Sequence, residues 1–91
     1  MKYLRAMIVL LALTGAGAAL LDGEGVVIET APQSGLLIVD HNDIPGFMAA
    51  MQMGYNVANP GLLKGIKPGD HIRFKIDPDT SVIQDIEVIG N

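Results

Sequence analysis

Every one of the chain's five prolines sits in a short turn-forming cluster: Pro32-Gln33-Ser34-Gly35, Asn42-Asp43-Ile44-Pro45-Gly46-Phe47, Asn59-Pro60-Gly61, Lys67-Pro68-Gly69-Asp70 and Asp77-Pro78-Asp79. Proline fixes φ and removes a backbone donor, so these clusters cut the sequence beyond Gly23 into pieces too short for helices of ordinary length. The pieces are rich in β-branched residues and alternate in polarity, which is the pattern of strands. Strands are expected at 25–30, 36–41, 50–57, 71–76 and 82–89. In the fourth, Ile72, Phe74 and Ile76 share one face, and His71, Arg73 and Lys75 the other. In the third, Met51, Met53, Tyr55 and Val57 fall together, opposite Gln52, Gly54 and Asn56. An Asn cap followed by proline at residues 59–60 suits a single helical turn that plugs one end of the structure. Five strands with one such turn before the fourth predict an all-β fold, a small five-stranded Greek-key β-barrel of the OB-fold type, whose closure leaves no exposed edges.

The first residues read as an address. Lys2 and Arg5 give a basic start, residues 6–13 are almost wholly apolar, and Thr14-Gly15-Ala16-Gly17-Ala18-Ala19 supplies the small residues that signal cleavage needs. We expect a signal peptide over residues 1–18, with Ala19 a neighbouring cut position, and one domain over 19–91. The uncharged run over residues 6–21 falls short of the roughly 20 residues that span a bilayer core, so a retained N-terminal anchor is the second choice. No membrane span is expected once the signal is removed. Lys2 and Arg5 are two of the six basic residues, and none of the ten acidic ones lies in this segment. Residues 19–91 therefore hold four basic and ten acidic side chains, a formal charge of −6. Such a surface repels nucleic acid and anionic lipid. A periplasmic or otherwise exported location permits disulfides, yet the chain has no cysteine. The core alone must hold the domain together, and any soft-metal chemistry must use thioether sulfur.

Three of the five methionines, Met48, Met51 and Met53, lie within six residues of one another. Methionine is a flexible core filler, so Met51 and Met53 facing into a barrel would explain their spacing without a ligand. The other reading is that two thioethers projecting to one side of a strand await a third group. Thioether and imidazole together suit Cu(I), whereas Mg, Ca and Mn want oxygen. Thioethers also carry no proton to lose, so they bind where thiolates fail. His41 ends the strand that enters the same loop, and an antiparallel return would bring it across from the methionines. A lone histidine at a strand end is equally a surface or capping residue.

The run Asp40-His41-Asn42-Asp43-Ile44-Pro45-Gly46-Phe47-Met48-Ala49-Ala50-Met51-Gln52-Met53 resembles the metal-binding segment of the CusF-like periplasmic copper-binding domains, a Cu(I)/Ag(I) metallochaperone family. The resemblance extends over essentially all of residues 19–91, including the Lys67-Pro68-Gly69-Asp70 turn and the last strand. It implies a five-stranded OB-type barrel in which a histidine on the second strand and a Met-x-Met pair on the third coordinate Cu(I) or Ag(I), with a tryptophan three residues before the first Met capping the ion. Carried over, His41, Met51 and Met53 match the family's ligands. Two features depart from the pattern. His41 lies ten residues before Met51, one fewer than in the family's best-known members, and Met48 stands where the tryptophan would be, as in a subgroup sharing the Ile-Pro-Gly-Phe-Met loop. Met48 is then a third thioether ligand or a shield that keeps water off the ion.

Around this set, Phe47 offers a ring for a cation–π contact, or else packs in the core. Asp40 and Asp43 are candidate acceptors for the ring N–H of His41, though acidic residues are common at strand ends, and His71, grouped with Arg73 and Lys75, reads as a solvated surface residue. The function expected is an exported, monomeric copper-binding protein that takes Cu(I) or Ag(I) and hands it to a protein partner, an efflux system or a cuproenzyme. The alternative is an OB-fold interaction module whose Met-rich patch docks a protein without metal. Nucleic-acid binding by an OB-fold wants a basic groove with stacking platforms; the acidic balance and the few aromatics Phe47, Tyr55 and Phe74 speak against it. No nucleophile is paired with a base, so no enzymatic activity is expected.

Overall fold

The computed structural model describes residues 19–91; the expected signal peptide, residues 1–18, lies outside them. Five strands follow in order: β1 (Leu21–Ala31), β2 (Leu36–His41), β3 (Met51–Val57), β4 (His71–Asp77) and β5 (Val82–Gly90). They close into a barrel in the order β1-β2-β3-β5-β4, with β4 returning to β1. All neighbours are antiparallel except β3 and β5, which run parallel and pair only at Asn56–Val82 and Val57–Ile83. Among the described residues no helix is long and apolar enough to cross a membrane.

Alternation builds the core. Val27 from β1, Leu37 and Val39 from β2, Tyr55 and Val57 from β3, Ile72, Phe74 and Ile76 from β4 and Ile83 from β5 all turn inward and are buried. The expected helical turn is a 3-10 turn, Pro60–Leu63, whose Asn59 carboxamide oxygen accepts from the Gly61 N–H (2.8 Å). It sits beside a second 3-10 turn, Pro32–Ser34, and its Leu63 is buried in the core. The opposite end is closed by Ile44 from the loop after β2, close to Gly23 and Phe74.

β1 starts at Leu21, four residues before the expected position. Its first half is polar and glycine-bearing because its outward residues meet charges rather than solvent alone. Asp22 pairs in register with Lys75 and Glu24 with Arg73, with Lys75 Nζ 2.6 Å from Asp22 Oδ1 and Arg73 Nε 3.3 Å from Glu24 Oε2. The hydrogen bond and charge of Lys75 hold the Asp22 carboxyl below its ordinary range. These pairs are exposed, so they set register more than they stabilise. Further along, Val27 pairs Val39 while Glu29 pairs Ile38, leaving Ile28 as the extra residue of a bulge. There the Lys67–Asp70 turn docks on the strand: the Val27 N–H donates to the Asp70 carbonyl (2.9 Å) and the Gly69 N–H to the Val27 carbonyl (2.8 Å). The buried Asp70 carboxylate in turn accepts the Lys67 N–H (2.9 Å).

Gly25 stands between two strands, opposite His41 of β2 and Ile72 of β4. A Cβ there would lie 2.7 Å from the His41 Cα and in harder conflict with the Asp40 carbonyl oxygen. Both obstacles are backbone, which cannot rotate away. Gly25→Ala should therefore lower unfolding stability by about 1–3 kcal/mol, read by equilibrium urea denaturation, and should shift the amide resonances of Asp40 and His41 more than those of β5.

Candidate metal centre

The antiparallel β2–β3 ladder sets His41 directly opposite Met51 and Val39 opposite Met53. Directly opposed residues hold their Cβ atoms about 4.5–5.5 Å apart, so the histidine and the first methionine of the pair meet at the mouth of the barrel, as the sequence predicted. The inward face of β3 is graded along its length. Val57 and Tyr55 are buried, Met53 is half-buried against the core, and Met51 is 42% exposed.

His41 is only 1% exposed, so both ring nitrogens need partners. Nδ1 lies 2.8 Å from the Asn42 carbonyl oxygen. A carbonyl can only accept, so Nδ1 carries a proton, and in the neutral tautomer this leaves the lone pair at Nε2. That nitrogen is the one a metal can use, and the backbone bond on the far side is the arrangement that orients ligating imidazoles. The acceptor is thus a main-chain carbonyl, and Asp40 and Asp43 fit the plainer reading of acidic residues at a strand end. Asp43 is engaged elsewhere, since its Oδ1 accepts the Ala50 N–H (2.7 Å) and ties the far end of the loop back to its start.

Between them the loop folds on itself. The Phe47 N–H donates to the Ile44 carbonyl (2.9 Å) across Pro45-Gly46, with Gly46 at φ 80°, a type II turn with proline and glycine in their preferred places. Ile44 and Met48 exchange two backbone hydrogen bonds at 2.8 and 3.0 Å. Met48 is therefore held by the main chain at a fixed place over the barrel mouth. Phe47 packs against the core, and His71 is exposed on the outer face, lining with Glu24, Asp40 and Asn42 a shallow cavity of about 180 Å³.

One residue escaped notice in the sequence as part of this centre. The Tyr55 hydroxyl is 3.0 Å from His41 Nε2 and 3.4 Å from Met48 Sδ, and its ring lies 5.7 Å from that of His41 and 6.3 Å from that of Phe74. Alternation from Met51 and Met53 already placed Tyr55 on their face; its hydroxyl was the overlooked signal. Burial pushes the phenol pKa up, so it stays an O–H donor. Among the described residues no three His, Cys, Asp or Glu side chains gather as a metal site. The candidate donors at the barrel mouth are one imidazole nitrogen and thioether sulfurs, types that suit a soft ion.

A family model described as the copper binding periplasmic protein CusF matches residues 21–89. The chain belongs to the CusF family. Solved structures agree on the fold. Metal-free CusF of Escherichia coli is 25% identical with a TM-score of 0.66, over 77% of this chain and 87% of that one. Ag(I)-bound CusF of the same organism is 23% identical with a TM-score of 0.67, over 82% and 98%. A Trp→Ala variant of it with Cu(II) is 23% identical with a TM-score of 0.63, over 78% and 92%. Comparison with curated proteins gives no match. The CusF family is a periplasmic one, in accord with the exported location read from the N-terminal segment.

The loop tie makes a direct prediction. Asp43→Ala removes the acceptor of the Ala50 N–H, which should cost about 0.5–1.5 kcal/mol. Amide exchange at Ala50 and Met51 should speed up while the β4 amides keep their protection, as followed by hydrogen–deuterium exchange.

Proposed function

We propose that this chain binds one Cu(I) ion, and Ag(I) in its place, through His41 Nε2 and the sulfurs of Met51 and Met53, with Met48 either completing the set or covering it. The observation that carries this reading is the pairing of His41 with Met51 in a frame that turns the Nε2 lone pair, met only by the neutral Tyr55 hydroxyl, toward the barrel mouth. The candidate donors fit a soft monovalent ion: none is a thiolate, and among the described residues no clustered carboxylates compete for a hard cation. A site this poor in nitrogen is unsuited to Cu(II) redox catalysis, and we read the protein as a carrier rather than an enzyme. The family's copper-binding character and the Ag(I) form of the Escherichia coli relative support the choice of cargo.

The graded burial of β3 suits transfer. Met51 at the rim is open to an incoming ligand, whereas His41 is enclosed, so an acceptor protein can take the ion by replacing the outer sulfur first. Flexible thioether side chains ease such stepwise exchange. We further propose that residues 1–18 direct export, that the carrier acts as a monomer, and that it delivers to an efflux system or a cuproenzyme.

Titration with Cu(I) under reducing conditions should saturate at about one equivalent, and Met51→Leu with Met53→Leu should abolish tight binding while the barrel stays folded. Retention of tight binding by that double variant overturns the proposal. X-ray absorption of the Cu(I) form should count one nitrogen with two sulfurs if Met48 is a cover, or three if it is a ligand.

A further inference from the structure

We propose that Tyr55 is a built-in competitor for the metal: its hydroxyl occupies His41 Nε2 while the site is empty and turns to Met48 Sδ when an ion takes that nitrogen. The proposal rests on the Cu(I) reading above and adds a residue that neither the family pattern nor the sequence motif assigns.

The argument is one of lone pairs. The Asn42 carbonyl holds the Nδ1 proton, so His41 has a single acceptor position, at Nε2, and the Tyr55 O–H lies against it at 3.0 Å. One lone pair cannot serve a hydroxyl and a metal ion together. Loading must break the Tyr55–His41 hydrogen bond, and a buried hydroxyl left without an acceptor is costly. Met48 Sδ, 3.4 Å from the same oxygen, is the acceptor already in place, carried on a main chain held by the Ile44–Met48 backbone pair. The phenol has one proton and two acceptors, and the ion decides which of them it uses.

Two properties follow. In the empty protein the hydroxyl keeps the imidazole aimed and dry, so no rearrangement of the ring precedes uptake. During release the same hydroxyl stands ready to recapture Nε2, which assists dissociation. Tyr55 thus weakens the resting affinity and quickens exchange, both useful in a carrier. It does so through His41, as a positioning residue rather than a ligand.

The test compares the full-length wild type with Tyr55→Phe, which keeps the ring and its contacts with Phe74. In competition with a chromogenic chelator, Tyr55→Phe should hold Cu(I) about 2- to 10-fold more tightly, the equivalent of one neutral hydrogen bond, and release it more slowly. The second readout is spectroscopic: the His41 Nε2 nitrogen-15 resonance of the metal-free protein should shift on Tyr55→Phe, and in the wild type the phenol coupling to Nε2 should vanish on adding Ag(I), which a merely structural hydrogen bond would not do. Met48→Leu supplies the third. It removes the waiting acceptor, so its loss of affinity should be larger in the wild type than in the Tyr55→Phe background. Equal or weaker binding by Tyr55→Phe, or additive Met48 and Tyr55 effects, overturns the competitor role while leaving the Cu(I) site standing. Absence of Cu(I) and Ag(I) binding by the wild type overturns both.

Discussion

An imidazole sealed from solvent inside an apolar barrel must find a partner for each nitrogen, and this requirement organises the functional end of the molecule. At His41 the partners are the next residue's carbonyl on one side and a phenol on the other. The first choice decides the tautomer and the second decides where Tyr55 lies. Through Tyr55 the requirement reaches Met48 and the Ile44–Met48 turn. Gly25 belongs to the same chain of necessity, because the backbone of β2 can bring His41 so close to β1 only where β1 has no side chain to obstruct it.

Chemistry and fold meet in the absence of cysteine. A small exported domain commonly gains stability from disulfides; here the barrel does without, using alternation on all five strands and a plug at each end. The same absence restricts the soft donors to thioethers, which neither ionise nor cross-link. Methionine can therefore sit at a solvent-open rim in an oxidising compartment without forming a disulfide, though it remains open to sulfoxide formation. The sulfurs serve two ends, since Met53 packs against the core while Met51 stands in solvent.

Much of this was legible in the sequence because two periodicities carried it. Proline-bearing clusters marked the breaks, and alternation assigned the inward faces, so β2 came out with its observed bounds and the 3-10 turn with its Asn59 cap. The pairing of His41 with Met51 followed from an antiparallel return. What sequence could not supply were relations set by the third dimension. The early start of β1 depends on its ladder with β4, some fifty residues away, and its glycines and charges look like loop when read alone. The ring orientation of His41 depends on a main-chain carbonyl, which has no letter in the sequence, so sequence could offer only the flanking carboxylates as candidates beside the plainer reading of acidic strand-end residues. Tyr55 was placed on the correct face but taken for an aromatic ring, when its hydroxyl is the part that matters to the site.

The parallel closure between β3 and β5 has a consequence for how the protein breathes. Only Asn56 and Val57 of β3 bond to β5; from Met51 to Tyr55 the strand is joined to β2 alone. The barrel is thus a zipper left partly undone, and the open length is the one that bears the methionines. Peeling this stretch outward breaks one ladder instead of two, so this length of β3 costs less to open than strands held on both sides.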